Sequence, residues 1–120
     1  MSRILTVDDS RSLRQMVAFS LRSAGHDVVE AVDGVDGLER ADDDQFDAFI
    51  VDVNMPRMDG ITLTKKLREL KKYAHTPILI LTTESTAEKK LMGRAAGATG
   101  WMVKPFNPEK LINTVRRVIP

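Results

Sequence analysis

Acidic, hydroxyl and basic side chains directly follow four short apolar runs in this chain. Asp8 and Asp9 come after Ile4, Leu5 and Val7; Asp52 after Ala48 to Val51; Thr82 and Thr83 after Ile78 to Leu81; Lys104 and Pro105 after Trp101 to Val103. If these runs are strands of one open sheet, their polar ends share the edge where such sheets bind ligands. Carboxylates gathered there repel one another unless a cation stands among them. Oxygen donors without His or Cys suit Mg2+. A carboxylate beside a divalent ion, a hydroxyl and an ammonium is equipped for phosphoryl transfer, because charge on the equatorial oxygens is neutralised while one carboxylate oxygen attacks phosphorus. Asp52, alone at its strand end, is the candidate nucleophile, and Asp8-Asp9 the candidate metal-binding pair. No GxxxxGK[ST] loop occurs, so a phosphorylated protein is a better candidate donor than a nucleoside triphosphate.

What must position these groups is a repeated strand-helix alternation. The second run is Val28-Val29, with Asp33 near its end. After the first run, Leu13, Met16, Val17, Leu21 and Ala24 recur at helical spacing, with Gly25 as the stop. Val35, Leu38 and Ala41 predict a weaker second helix opened by Asp33-Gly34, and Leu63, Leu67 and Leu70 the stripe of a third. Thr86 to Ala96, with Gly97 behind it, predicts a fourth; Pro108 opens a fifth whose inward face is Leu111, Ile112, Val115, Val118 and Ile119. Five such units imply a parallel sheet with helices on both faces, since right-handed crossovers return each strand to the same end. Periodicity leaves the strand order open. With 2-1-3-4-5, the first and third strands are neighbours and the three acids meet.

Composition narrows the function classes. The 120 residues fit one domain, 1–120, and 42% hydrophobic with 29% charged residues describes an ordinary globular chain. A net charge of +1 without a long basic run argues against nucleic-acid binding, and no Cys is present for a disulfide, a thiolate metal site or a thiol nucleophile. No apolar stretch approaches the roughly 20 residues of a membrane span, so a cytoplasmic location is expected. His26 and His75 read as exposed loop residues, Asp42-Asp43-Asp44 as a solvated acidic loop, and the Lys65-Lys66, Lys71-Lys72 and Lys89-Lys90 pairs as outer helix faces.

Taken together, VDDS at 7–10, VDVNMPRMDG at 51–60, LTTE at 81–84, GATGW at 97–101 and KPF at 104–106 make the chain resemble the receiver domain of two-component response regulators, in particular the stand-alone chemotaxis type. The resemblance covers essentially the whole chain. It implies a flavodoxin-like doubly wound α/β fold, a five-stranded parallel sheet of order 2-1-3-4-5 with five helices. It also implies that Asp52 accepts a phosphoryl group from a histidine kinase. Asp9 would ligate Mg2+ directly and Asp8 largely through water, joined by Asp52 and the backbone carbonyl of Asn54. Thr82 would be the switch hydroxyl, Lys104 the cation on a phosphoryl oxygen, and Lys104-Pro105 a cis peptide.

Two positions depart from the family pattern. Trp101 stands where Tyr or Phe is usual, which bears on whether this aromatic moves with Thr82, and Thr83 stands where a small residue is common. Asn54 and Glu84 resemble the chemotaxis members, which implies a short-lived phosphoryl group. The expected output is contact with a partner, a flagellar motor switch protein being favoured, by a monomer with no effector fused to it. A phosphate shuttle or sink exchanging with histidine kinases is the competing reading. A small Mg-dependent phosphohydrolase would also use an aspartyl phosphate, but the chain has no DxDx[TV] signature and no cap segment.

Overall fold

The computed structural model describes all 120 residues. Five strand-helix units follow in order: β1 (Arg3–Val7), α1 (Arg11–Ser23), β2 (Asp27–Ala31), α2 (Gly34–Asp43), β3 (Ala48–Val51), α3 (Gly60–Glu69), β4 (Ile78–Thr82), α4 (Ala87–Ala96), β5 (Gly100–Val103) and α5 (Pro108–Val118). A single 3-10 turn, Lys71–Tyr73, separates α3 from β4. The strands are all parallel and ordered β2-β1-β3-β4-β5, the flavodoxin-like arrangement. In register, Val7 lies opposite Val51, so Asp8 and Asp52 leave adjacent strands at the same level.

Strand residues alternate between two buried layers, as the pleat requires. Leu5, Val7, Phe49, Val51, Ile78 and Ile80 face one cluster, with Ala41 of α2, Ile61, Leu63 and Leu67 of α3, and Ala96 of α4. Ile4, Ala48, Ile50, Leu79 and Leu81 face the other, with Val17, Ala18 and Leu21 of α1 and Leu111 and Val115 of α5. Phe49 anchors the first layer, its ring 4.8 Å edge-on to Tyr73 and 5.8 Å from Phe46.

Each helix is capped where its strand hands over the chain: Ser10, Asp33, Asp59, Thr86 and Asn107 accept from backbone amides of the first turns. All five helix N-termini therefore open toward the edge that holds the acids. Their dipoles favour negative charge there.

Several sequence expectations need adjusting. Met16, placed on the inward stripe of α1, is 54% exposed, and Phe19 is 73% exposed; with Phe106 and Ile112 they line an apolar groove between α1 and α5. Ala18 joins Val17 and Leu21 on the inward face instead, and Ser20 is buried beside them, so the stripe is rotated away from Met16. Asp42 and Asp43 belong to the last turn of α2, so only Asp44 lies beyond it, though all three are solvated as expected. Leu70 caps α3 from outside. His26 is half-buried and accepts from the Ser2 amide at 3.3 Å. No helix is long and apolar enough to cross a membrane.

Candidate functional site

Asp8 is held by the sheet before any ligand is considered. Its amide donates to Ala31 of β2 at 3.2 Å, while the amide of Asp52 donates to Val7 of β1 at 3.0 Å. Both carboxylates are thereby fixed beyond the paired ends of β1 and β3. The Ser10 amide donates to Asp8 Oδ1 at 2.9 Å. Asp9, one residue on, points to solvent. The three residues each offer a carboxylate oxygen within 4.8 Å of the others, an all-oxygen set of the kind that a hard divalent cation takes.

Lys104 reaches this cluster from the end of β5. Its backbone amide donates to Thr82 at 2.8 Å, and its Nζ donates to Asp8 Oδ2 at 2.9 Å and to Asp52 Oδ2 at 3.3 Å. The lysine side chain is only 7% exposed. A buried ammonium shared by two buried carboxylates leaves one negative charge among these three groups, and Asp9 adds another at the rim. Burial is the main influence on Asp8 and raises its pKa above the ordinary carboxylate value. Hydrogen bonds from Lys104 and Ser10 pull the other way, and the charge of Asp52 adds to the rise. Such a pair of acids is poised to gain from a further cation. The peptide bond between Lys104 and Pro105 is cis.

The hydroxyl of the fourth strand is present too. Thr82 is fully buried at the end of β4, where its Oγ1 accepts from the Glu84 amide at 3.4 Å. Asn54, two residues beyond Asp52, donates through Nδ2 to Glu84 Oε1 at 3.1 Å and so bridges the loops after β3 and β4. Trp101 is half-buried, and its Nε1 donates to the Glu84 carbonyl at 2.9 Å. Thr83 is exposed beside this network.

Sequence reading missed two supports. Arg14 on α1 donates to the Asp8 carbonyl at 2.8 Å and to Glu30 at 3.1 Å, bracing the acidic turn from behind. Arg57 forks onto Asp33, through Nε at 2.8 Å and Nη2 at 3.2 Å. A helix-spaced arginine could have suggested the first; nothing local suggested the second.

A family model described as the response regulator receiver domain matches residues 4–116. The chain belongs to that family. Among solved structures, the chemotaxis protein CheY4 of Vibrio cholerae is 52% identical, with a TM-score of 0.95 and 98% of each chain covered. The receiver domain of the Pseudomonas aeruginosa sensor histidine kinase PA1611 is 27% identical at a TM-score of 0.91, covering 98% of this chain and 97% of that one. It is described with a magnesium ion coordinated in its active site cleft. Among curated proteins, the response regulator MprA of Mycobacterium leprae is 38% identical over 117 residues, which is 98% of this chain and 50% of that protein. The transcriptional regulator RpaA of Synechocystis is 35% identical over 119 residues, 99% of this chain and 49% of that protein. The chain spans about half the length of the curated relatives it matches.

Proposed function

We propose that residues 1–120 act as one receiver module in which Asp52 accepts a phosphoryl group from the phosphohistidine of a histidine kinase. The observation that carries this reading is the Lys104 ammonium lying between the carboxylates of Asp8 and Asp52, with Asp9 completing a three-acid cluster. A carboxylate oxygen of Asp52 attacks phosphorus, the P–N bond breaks, and the imidazole leaves with the electron pair. Asp8, Asp9, Asp52 and the Asn54 carbonyl are the groups that would hold Mg2+, which when bound offsets the charge of the transferred phosphoryl oxygens. Lys104, already within hydrogen-bonding distance of Asp52, takes one of those oxygens, and the Thr82 hydroxyl takes another. The module promotes its own phosphorylation and dephosphorylation and turns over no separate substrate.

The output is a change in partner contact. Drawing Thr82 toward the phosphoryl group pulls on the loop that Glu84 shares with Trp101 and Asn54, and the surface of α4, β5 and α5 responds. The 52% identity to CheY4 favours a chemotaxis role with a flagellar motor switch protein as partner, in the cytoplasm and as a monomer. Exchange of phosphoryl groups among kinases is the second reading, favoured by the similarity to a receiver domain of a sensor histidine kinase.

The test is mass spectrometry after incubation with acetyl phosphate. With Mg2+, wild type gains a base-labile adduct of about 80 Da on Asp52. Asp52→Asn gains none, and EDTA abolishes the gain in wild type. An unmodified residue 52 in magnesium would overturn the reading. Binding to a motor switch protein that rises with beryllofluoride separates the contact switch from the shuttle.

A further inference from the structure

The loop from Asp52 to Gly60 carries the Asn54 carbonyl assigned above to the metal, and it is gripped from both sides. On one side Asn54 bonds to Glu84. On the other, Arg57 makes a bidentate fork onto Asp33, an acid at the end of β2 that also caps α2 through the Asp36 amide at 2.8 Å. Arg57 does so with φ at +69°, a left-handed conformation that is strained for a non-glycine residue. The two loops press together tightly. A Cβ on Gly34 would lie 2.3 Å from the Met58 carbonyl oxygen, so only glycine fits beside this segment. Asp33 is buried while the Arg57 side chain is 58% exposed, so the fork closes over the acid from outside.

We infer that Arg57 is a positioning residue for the metal site: by clamping the loop after Asp52 onto Asp33, it holds the Asn54 carbonyl where a Mg2+ ion can use it. This rests on the phosphoacceptor reading given above. Geometry and charge predict opposite results for its removal. Without Arg57 the Asp33 carboxylate is unpaired and the region becomes one unit more negative, which by Coulomb attraction alone tightens cation binding. A loosened loop weakens it. A fork also differs from a point charge, because lysine cannot span both carboxylate oxygens.

The experiment titrates Mg2+ by thermal shift and by Trp101 fluorescence in wild type, Arg57→Asn, Arg57→Lys, Asp33→Asn and the Arg57→Asn/Asp33→Asn double variant. Asparagine tolerates the left-handed backbone at 57 and keeps a cap at 33, so both variants fold. The expected result is a Kd for Mg2+ raised about three- to tenfold in Arg57→Asn and by a similar factor in Asp33→Asn, less in Arg57→Lys, and no further in the double variant, the non-additivity of a coupled pair. A Kd that is unchanged or lower in Arg57→Asn overturns the inference, as does full additivity in the double variant. Acetyl phosphate labelling of Asp52 in wild type is run alongside. Its failure would remove the phosphoacceptor reading, whereas labelling with an unshifted Kd removes the clamp alone.

Discussion

At the residue scale, Trp101 and Gly93 form a matched pair. The indole lies across α4 at the point where the helix has no side chain: a Cβ on Gly93 would meet ring carbon Cζ3 at 2.6 Å. Gly93→Ala sets two effects against each other. Alanine stabilises a helix interior by about 1 kcal/mol over glycine, while overpacking costs about 1–3 kcal/mol when nothing can move. Trp101 is half-buried at the surface, so the ring swings outward and the two energies nearly cancel. Its bond to the Glu84 carbonyl is lost. The expected outcome is a melting temperature within a few degrees of wild type together with a red-shifted, more acrylamide-accessible tryptophan emission. An unaltered emission would show that the indole is not held by this contact, and its proposed part in the switch would weaken accordingly.

At the element scale, Arg68 ties the far ends of two helices to the sheet. From the last turn of α3 its guanidinium donates to the carbonyls of Tyr73 at 2.7 Å, Thr76 at 2.6 Å and Gly97 at 2.9 and 2.8 Å. No carboxylate is involved. The cation instead satisfies carbonyls of the 3-10 turn and the loop that follow α3, and that of Gly97 at the C-terminal end of α4, where the helix dipole favours positive charge. Burial lowers its pKa from the ordinary arginine value, the direction expected without an anionic partner. Arg68→Ala leaves several partly buried carbonyls unpaired, and a loss of about 2–3 kcal/mol in urea unfolding is expected. Arg68→Lys recovers less than half, because one ammonium cannot reach all three carbonyls. Equal stability of the alanine variant would mean that water replaces the clip without cost. The acids and the lysine were legible from the sequence because each directly follows an apolar strand. The clip was not: nothing local marks Arg68, and its acceptors are backbone carbonyls up to 29 residues away together with the Thr99 hydroxyl. The Arg57 fork was hidden for the same reason, since its partner arrives by a crossover from β2.

At the scale of the whole molecule, the topology that brings four strand ends together also joins the chain's two extremities, and there the fold responds to pH. His26, just beyond α1, accepts from the Ser2 amide through Nδ1, which requires a neutral ring. Burial lowers its pKa below the ordinary 6.5, and the N-terminal ammonium and Arg116 push the same way. The folded chain therefore binds this proton less readily than the unfolded chain. Its contribution to stability is complete above about pH 6.5 and is lost as the pH falls below that value. Asp33 acts in a separate, lower window. The Arg57 fork, aided by the Asp36 amide, depresses its carboxyl below 3.8, so that contribution is complete above 3.8 and lost as the pH falls below it. Through these two groups acid should thus weaken the fold in two stages, the first governed by His26, while Asp8, with its pKa raised, works the other way as the pH falls toward the carboxylate range. Urea unfolding at about pH 7.5 and about pH 5.5 tests the first stage. Wild type should lose more stability between the two than His26→Gln, whose side chain can still accept from Ser2 but does not titrate. Added salt should shrink only the part owed to the N-terminus and Arg116, because screening acts on charges and leaves the desolvation of the ring untouched. Equal losses in the two proteins would place the acid sensitivity elsewhere in the molecule.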